Sequence, residues 1–393
     1  MPVATRAGFA LDDVRDLAAR IASRADAADR AGRLPAEDVA DLRASGYLAL
    51  SVPREHGGQG ATLRDCALAQ LELAQASGST AMVAAMPLHL FGAMREHTPW
   101  SEEHFEKLCR LTSEEGALLN SVASEPQLGS PSRGAIFRSN ARRVAGGWLI
   151  NGHKNWSTGG RHLTHLLVSL DIDGDPAQVL VPNDGPGICW EPTWRDALSL
   201  RASDSDDVYL QDVFVPGDHL LARYDDSSQR NRPTPWFPLL TAATYLGVAL
   251  AARDAAIHFA LERVPTALGK PIASLPGIQR QIGELDVELQ AAQMMLLEAA
   301  RQWDDERDMS AVAPAKLFAN DAAIRAADRA MRIVGGQAIT HALPLERYYR
   351  DVRGGLTHPP SGDLALQAIG RNAIDAISDY AGREQGLAED SNG

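Results

Sequence analysis

Apolar residues recur three and four positions apart near the start of the chain, at Leu11, Val14, Leu17 and Ile21, along one face of an amphipathic helix. A second helix is expected directly afterwards. Pro35 suits a first turn, Glu37 and Asp38 favour the positive end of the helix dipole, Val39 and Leu42 supply the apolar face, and Gly46 can take the left-handed cap. Glu55-His56-Gly57-Gly58-Gln59-Gly60 breaks the period, which resumes from Leu63 through Ala76. Residues 1–116 therefore read as an all-helical N-terminal domain.

The period changes after Ala117. Trp148-Leu149-Ile150, Leu166-Leu167-Val168, Gln178-Val179-Leu180-Val181 and Val208-Tyr209-Leu210 are short strand-like runs, and Gly146-Gly147 and Asn151-Gly152 are both hairpin signals. Residues 117–232 are expected to form an antiparallel β-barrel or sandwich. The polar stretch 225–235 reads as a linker. Beyond it, Ile278, Ile282, Leu285, Leu289 and Leu296 have heptad-like spacing. Helices are expected near 238–263, 276–304, 312–334 and 363–385, stacked as a four-helix bundle within residues 233–393. The fold class is multidomain α+β in the order helices, sheet, helices.

Composition narrows the function. Of 393 residues, 45% are apolar and 23% charged, which suits a folded globular chain. Lys and Arg number 38 against 51 Asp and Glu, a net charge of −13, and phosphate binding needs the opposite sign. No nucleic-acid partner is expected. Cys66, Cys109 and Cys189 are widely separated and lack C-x-x-C spacing, so neither a disulfide framework nor a thiolate metal site is expected, and a reducing compartment fits. Residues 1–10 have no charged-then-apolar export pattern, and Asp12, Asp13 and Asp16 follow, so cytoplasmic placement is expected. The weakly polar run from Phe237 to Ala252 is too short to span a bilayer and reads as a buried helix, with no membrane insertion.

The phosphate-loop, dinucleotide-fold and nucleophile-elbow signatures are missing. His162-x-x-His165 enters a strand pattern without a nearby carboxylate or cysteine, and no metal is expected there. More unusual are Ser121-Val122-Ala123-Ser124-Glu125-Pro126, then Gly129-Ser130, and later Trp156-Ser157-Thr158-Gly159-Gly160. Loops of this kind expose N–H groups and hydroxyls beside a flat aromatic ring, which suits a planar heteroaromatic ligand. The same residues also make ordinary turns and core, and spacing leaves both readings open.

A wider set of motifs adds weight to the ligand. Val52-Pro53 with Gly57-Gly58, Ser124-Glu125-Pro126 with Gly129-Ser130, Gly147-Trp148 through Lys154, Trp156 and Thr158, Val213-Phe214-Val215-Pro216, Ala315-Lys316-Leu317-Phe318, Val334-Gly335-Gly336 and Arg350-Asp351 together resemble the acyl-CoA dehydrogenase family. The match covers about residues 10 to 380.

The resemblance implies a homotetramer or homodimer holding FAD, with FMN as the alternative, between the β domain and the C-terminal bundle. It places Ala123, Ser124, Ser157 and Thr158 at the flavin ring, Trp156 over it, and Ser130 at the flavin or the substrate thioester. It further places Arg263 near the FAD pyrophosphate and Gly335-Gly336 beside its ADP half. The Arg263 segment departs from the family pattern, being two residues longer and lacking its Phe.

The larger departure concerns the base. Family dehydrogenases remove a substrate α proton with a glutamate. The matching position here is Pro359, and the alternative family position falls near Phe237, again without a carboxylate. His358 and Asp363 are the nearest titratable replacements, and a histidine can serve as base or as hydrogen-bond partner to an oxygenated intermediate; for His358 a steric role before Pro359-Pro360 is equally open. Asp363 reads as a helix cap.

Three functions follow, in this order. The first is a dehydrogenase acting on acyl-CoA or another small substrate with an electron-transfer partner. The second is a monooxygenase fed reduced flavin by a reductase, and the third a flavin-binding protein without turnover.

Overall fold

The computed structural model describes residues 9–128, 137–224, 233–359 and 362–390, the last of these without the side chains of 376 and 379–390. α1 (Leu11–Ala31) carries Asp12 and Asp13 in its first turn, buries Val14, Leu17 and Ile21, and ends at Gly32 in the left-handed conformation. Pro35 stands at the N-cap of α2 (Ala36–Ser45), one place earlier than a first-turn proline, and Gly46 closes the helix at φ 73°. Asp38 does more than meet a dipole. It is buried and accepts hydrogen bonds from Arg24 Nε at 2.6 Å and Thr80 Oγ1 at 2.7 Å, tying α1 and α2 to the next helices. α3 (Leu63–Ala76) starts at a capping box of Thr62 and Asp65. α4 (Gly78–Met94) is apolar on almost every side and correspondingly buried, and α5 (Glu102–Glu115) completes the first helical part.

Among the described residues eight strands follow: β1 (Leu119–Val122), β2 (Asn140–Val144), β3 (Gly147–Ser157), β4 (His165–Ile172), β5 (Asp175–Pro182), β6 (Ile188–Glu191), β7 (Asp206–Pro216) and β8 (Leu220–Arg223). They pair in the order β6-β7-β3-β2-β4-β5-β8, with β1 on β4. The sheet is mostly antiparallel. β1 and β4 run parallel, and β2 meets β4 in parallel at Asn140 and Asp171, which corrects a purely antiparallel reading.

Of the two hairpin signals, Gly146 turns the chain between β2 and β3 at φ 82°. Asn151-Gly152 does not turn it. The pair lies inside β3 at a bulge against β7, where Asn151 and Asp212 exchange hydrogen bonds at 2.9 Å. Glycine is required there by close approach rather than by a turn, because a Cβ on Gly152 would lie 2.2 Å from Ser139 Oγ.

The C-terminal part consists of α6 (Trp236–Glu262), α7 (Pro276–Glu306), α8 (Val312–Val334), the short α9 (Leu345–Asp351) and α10 (Gly362–Asp390). α6 is the core helix and packs on α3, α4, α7 and α8. Among the described residues it is the one helix long and apolar enough to cross a membrane, and most of it is buried in the fold. Arg253 pairs with Asp286 across α6 and α7, and Arg325 with Glu288 across α7 and α8. The three long helices therefore run up, down and up. The fourth bundle helix, α10, packs mainly on α8, and among its described side chains Leu364, Leu366, Ile374 and Ile377 are exposed.

Candidate functional site

β3 ends at Trp156 and Ser157, with Thr158 next. Trp156 is held at φ 56° with 61% of its surface exposed, an unusual combination for a bulky residue. Thr158 Oγ1 lies 2.9 Å from Ser205 Oγ, which lies 2.7 Å from Ser203 Oγ, and Asn120 Nδ2 donates to the Thr158 carbonyl at 2.9 Å. Ala123 and Ser124 follow β1, and Asn155 N–H donates to the Ser124 carbonyl at 3.1 Å. Beneath this junction Lys154 Nζ meets Glu125 Oε1 at 2.7 Å in a buried pair. The fold thus brings Ala123, Ser124, Trp156, Ser157 and Thr158 together. Ser130 lies outside the described residues.

The donor set fits a planar heteroaromatic ring such as a flavin. Ser157 Oγ and Asn155 Oδ1 are buried without a hydrogen-bond partner, which costs stability in the isolated chain unless a ligand or water engages them. The exposed indole of Trp156 beside them supplies an apolar face.

A second group forms on the bundle. Tyr245 Oη and His358 Nδ1 are 2.7 Å apart, and Lys316 Nζ donates to the His358 carbonyl at 2.7 Å. The Phe237 ring meets two imidazoles edge-on, His89 at 5.1 Å and His358 at 5.9 Å. Burial pushes His89 down to about 4; burial and the nearby Lys316 charge do the same to His358. Burial also lowers Lys316 to about 8 and raises Tyr245 well above its ordinary range. Pro359 is exposed, and no carboxylate touches the His358 ring among the described residues. Asp363 sits within the first turn of α10, at the positive end of that helix rather than before it.

Residues 199–205 connect the two groups. Asp351 Oδ1 accepts from Leu200 N at 2.8 Å, and Ser199 Oγ donates to the Asp351 carbonyl at 2.6 Å. A Cβ on Gly354 would come within 2.7 Å of both Ser199 Oγ and Tyr245 Oη, so only glycine allows this approach. From Leu200 the segment continues to Ser203 and Ser205, the partners of Thr158. Arg350 anchors the same corner to α1 through Asp29 at 2.6 Å.

Arg263 and Gly335-Gly336 are placed elsewhere. Tyr245 to Arg263 is 18 residues along α6 and Lys316 to Gly335 is 19 along α8, each about 27–29 Å at 1.5 Å per residue. Because α6 and α8 run in the same direction, these residues gather at the opposite end of the bundle from His358. Arg263 is exposed at the C-cap of α6, and Gly335 turns the chain out of α8 at φ 73°. A single chain does not bring them to the His358 group. His162 lies 3.6 Å from Asp204 and His165 bonds Thr164, and the described residues contain no cluster of three or more metal-ligating side chains.

Sequence reasoning missed His89 and Tyr245. His89 did leave a signal, as an imidazole within the apolar helix Gly78–Met94; Tyr245 left none, since a tyrosine in a buried helix reads as core.

Three family models match in order: "Acyl-CoA dehydrogenase, N-terminal domain" over residues 10–98, "middle domain" over 121–213 and "C-terminal domain" over 238–358. The putative acyl-CoA dehydrogenase YdbM of Bacillus subtilis is 35% identical over 354 residues, 88% of this chain and 92% of the relative. Among solved structures, TdsC of Paenibacillus sp. A11-2, a dibenzothiophene monooxygenase, in complex with FMN and indole, superposes with a TM-score of 0.83 at 25% identity, covering 93% of this chain and 97% of the other. A nitrososynthase from Micromonospora carbonacea var. africana matches with a TM-score of 0.78 at 27% identity, covering 95% and 99%.

Proposed function

The chain belongs to the acyl-CoA dehydrogenase family, and from that premise we propose that it is a flavin-dependent monooxygenase rather than a dehydrogenase. One observation carries this reading: where the family's catalytic carboxylate is expected, beside Pro359, the Phe237 ring of the bundle is flanked by His358 and by His89 from α4, and burial holds both imidazoles well below their ordinary pKa. Removal of the weakly acidic α proton of an acyl thioester needs a positioned base that imidazoles held near a pKa of 4 supply poorly. Oxygenation makes no such demand. Reduced flavin, when bound, supplies the electron pair with which one oxygen atom of O2 enters the substrate and the other leaves as water.

This chain's own residues supply binding and orientation. Ala123, Ser124, Ser157 and Thr158 would hold the polar edge of the ring and Trp156 would cover its face. His89, Phe237 and His358 would line the substrate side, with Lys316 holding the His358 backbone. FMN in the TdsC complex supports the smaller cofactor. FAD would require Arg263 and Gly335-Gly336 of a second copy to reach its ADP half, so a homodimer or homotetramer belongs to the FAD form of the proposal. A separate flavin reductase would be the redox partner. Cysteines outside any disulfide, two buried and one exposed, suit a reducing compartment and hence a cytoplasmic location.

A dehydrogenase reaction is the second reading, favoured by the 35% identity to YdbM; a flavin-binding role without turnover is the third. The test supplies flavin-free protein with chemically reduced FMN, oxygen and a panel of aromatic and heteroatom substrates. Product carrying one atom of labelled oxygen supports the proposal. Oxygen consumed only to hydrogen peroxide across the panel counts against it.

A further inference from the structure

We propose that Tyr245 locks His358 in the tautomer with its proton on Nε2, so that the imidazole offers the site a hydrogen-bond donor and recognises a ligand through an acceptor atom. The ligand part rests on the oxygenase reading above; the tautomer does not.

Tyr245 is fully buried on α6, and its hydroxyl lies 2.7 Å from His358 Nδ1. That bond could run in either direction, and the surroundings decide which. Among the described residues, Nδ1 is the hydroxyl's one hydrogen-bond partner. Ser199, the neighbouring hydroxyl across Gly354, donates to the Asp351 carbonyl and makes no hydrogen bond with the phenol. If Nδ1 carried the proton it would donate to the phenol oxygen, and the phenol O–H would be buried with no acceptor. An unmade buried hydrogen bond of this kind shifts an equilibrium by about tenfold to a hundredfold. The phenol therefore donates, Nδ1 accepts, and the single proton of the neutral ring sits on Nε2.

The groups facing the ring keep it neutral. Phe237 and Tyr245 approach from α6, Lys316 holds the His358 carbonyl from α8, and His89 lies across Phe237 on α4. The Asp351 carboxylate, on the Tyr245 side, is engaged by Leu200 N–H. His358 retains partial solvent access, and Nε2 is not among the buried unpaired atoms, so the ring nitrogen without a protein partner is the one a ligand can reach.

An Nε2–H donor cannot also be the proton acceptor that a base requires. It suits a ring nitrogen, a thioether, a carbonyl or a phenolate oxygen on the ligand. Tyr245 is thus a positioning residue, acting through His358.

The test is long-range 1H–15N correlation NMR on histidine-labelled protein, with and without flavin, the His358 signal being assigned by its loss in His358→Gln or His358→Asn. A protonated Nε2 and an unprotonated Nδ1 between pH 8 and pH 5 are expected; the reverse pattern overturns the proposal whatever reaction the protein catalyses. Quinoline and naphthalene provide the binding test, differing in one acceptor nitrogen. The ratio of their affinities should fall about tenfold in Tyr245→Phe, and an unchanged ratio overturns the role assigned to Tyr245. If Tyr245→Phe does not fold, the wild-type tautomer alone decides.

Discussion

Breaking the pair beneath the ring site should be costly out of proportion to its size. Lys154 and Glu125 side chains are 0% and 4% exposed, and they meet at 2.7 Å. Glu125 also accepts from Arg138 N at 2.8 Å and Ser139 N at 3.1 Å, while Lys154 donates to the Ser169 carbonyl and lies 4.5 Å from the Phe137 ring centroid. Burial lowers Lys154 to about 8 against the pull of Glu125. Burial pushes Glu125 up, and Lys154 with the two backbone donors outweighs it, leaving the carboxyl below its ordinary range. Lys154→Met strands a buried carboxylate, a loss of about 3–5 kcal/mol; the two remaining N–H donors argue for the low end, about 3 kcal/mol. Glu125→Gln strands an ammonium that can lose its proton, so a smaller loss of about 2–3 kcal/mol is expected. The double variant removes both charges and should cost at least about 2 kcal/mol less than the sum of the singles. Urea denaturation read by circular dichroism measures all four forms. Single losses below about 1 kcal/mol, or additivity within about 0.5 kcal/mol, would refute the view that this pair fixes the ends of β1 and β3.

Three further outcomes are expected. Trp156→Ala, at a 61% exposed and backbone-strained position, should change stability by less than about 1 kcal/mol yet weaken flavin binding at least about tenfold in a fluorescence titration; equal affinity would remove the indole from the ring site. Gly92→Ala places a Cβ 2.2 Å from the buried Trp236 ring and should cost about 1–3 kcal/mol in urea, a value near zero showing that the indole can yield. His89 and His358 both drop from 6.5 to about 4 on folding, so the unfolded chain binds more protons between those values. Their contribution is whole above pH 6.5 and is lost as pH falls towards 4, about 3 kcal/mol each. His89→Gln should flatten the decline of stability over that window, and an unaltered slope would show that His89 is already charged in the folded protein.

Local chemistry made much of the fold readable. Thr62 and Asp65 cap α3 where the apolar period resumes at Leu63, and Gly335 stops α8 where its period ends. The hairpin signal at Asn151-Gly152 misled because its glycine answers to Ser139, the residue just before the neighbouring strand β2, a relation that neighbours in sequence do not reveal. The parallel pairing of β1 with β4 was hidden for the same reason. In the site, Trp156, Ser157 and Thr158 were visible as one contiguous segment. His89, Phe237, Tyr245 and His358 come from α4, α6 and the segment after α9, and only the packing of those elements joins them.

The proposal that imidazoles of lowered pKa stand in place of a carboxylate base is tested most directly by titrating flavin-loaded protein with saturated acyl-CoA thioesters of graded chain length in the absence of oxygen. The absorbance of oxidised flavin should persist through every addition. Stoichiometric bleaching by any one thioester would mean that an α proton is removed after all, and that the chain works as a dehydrogenase.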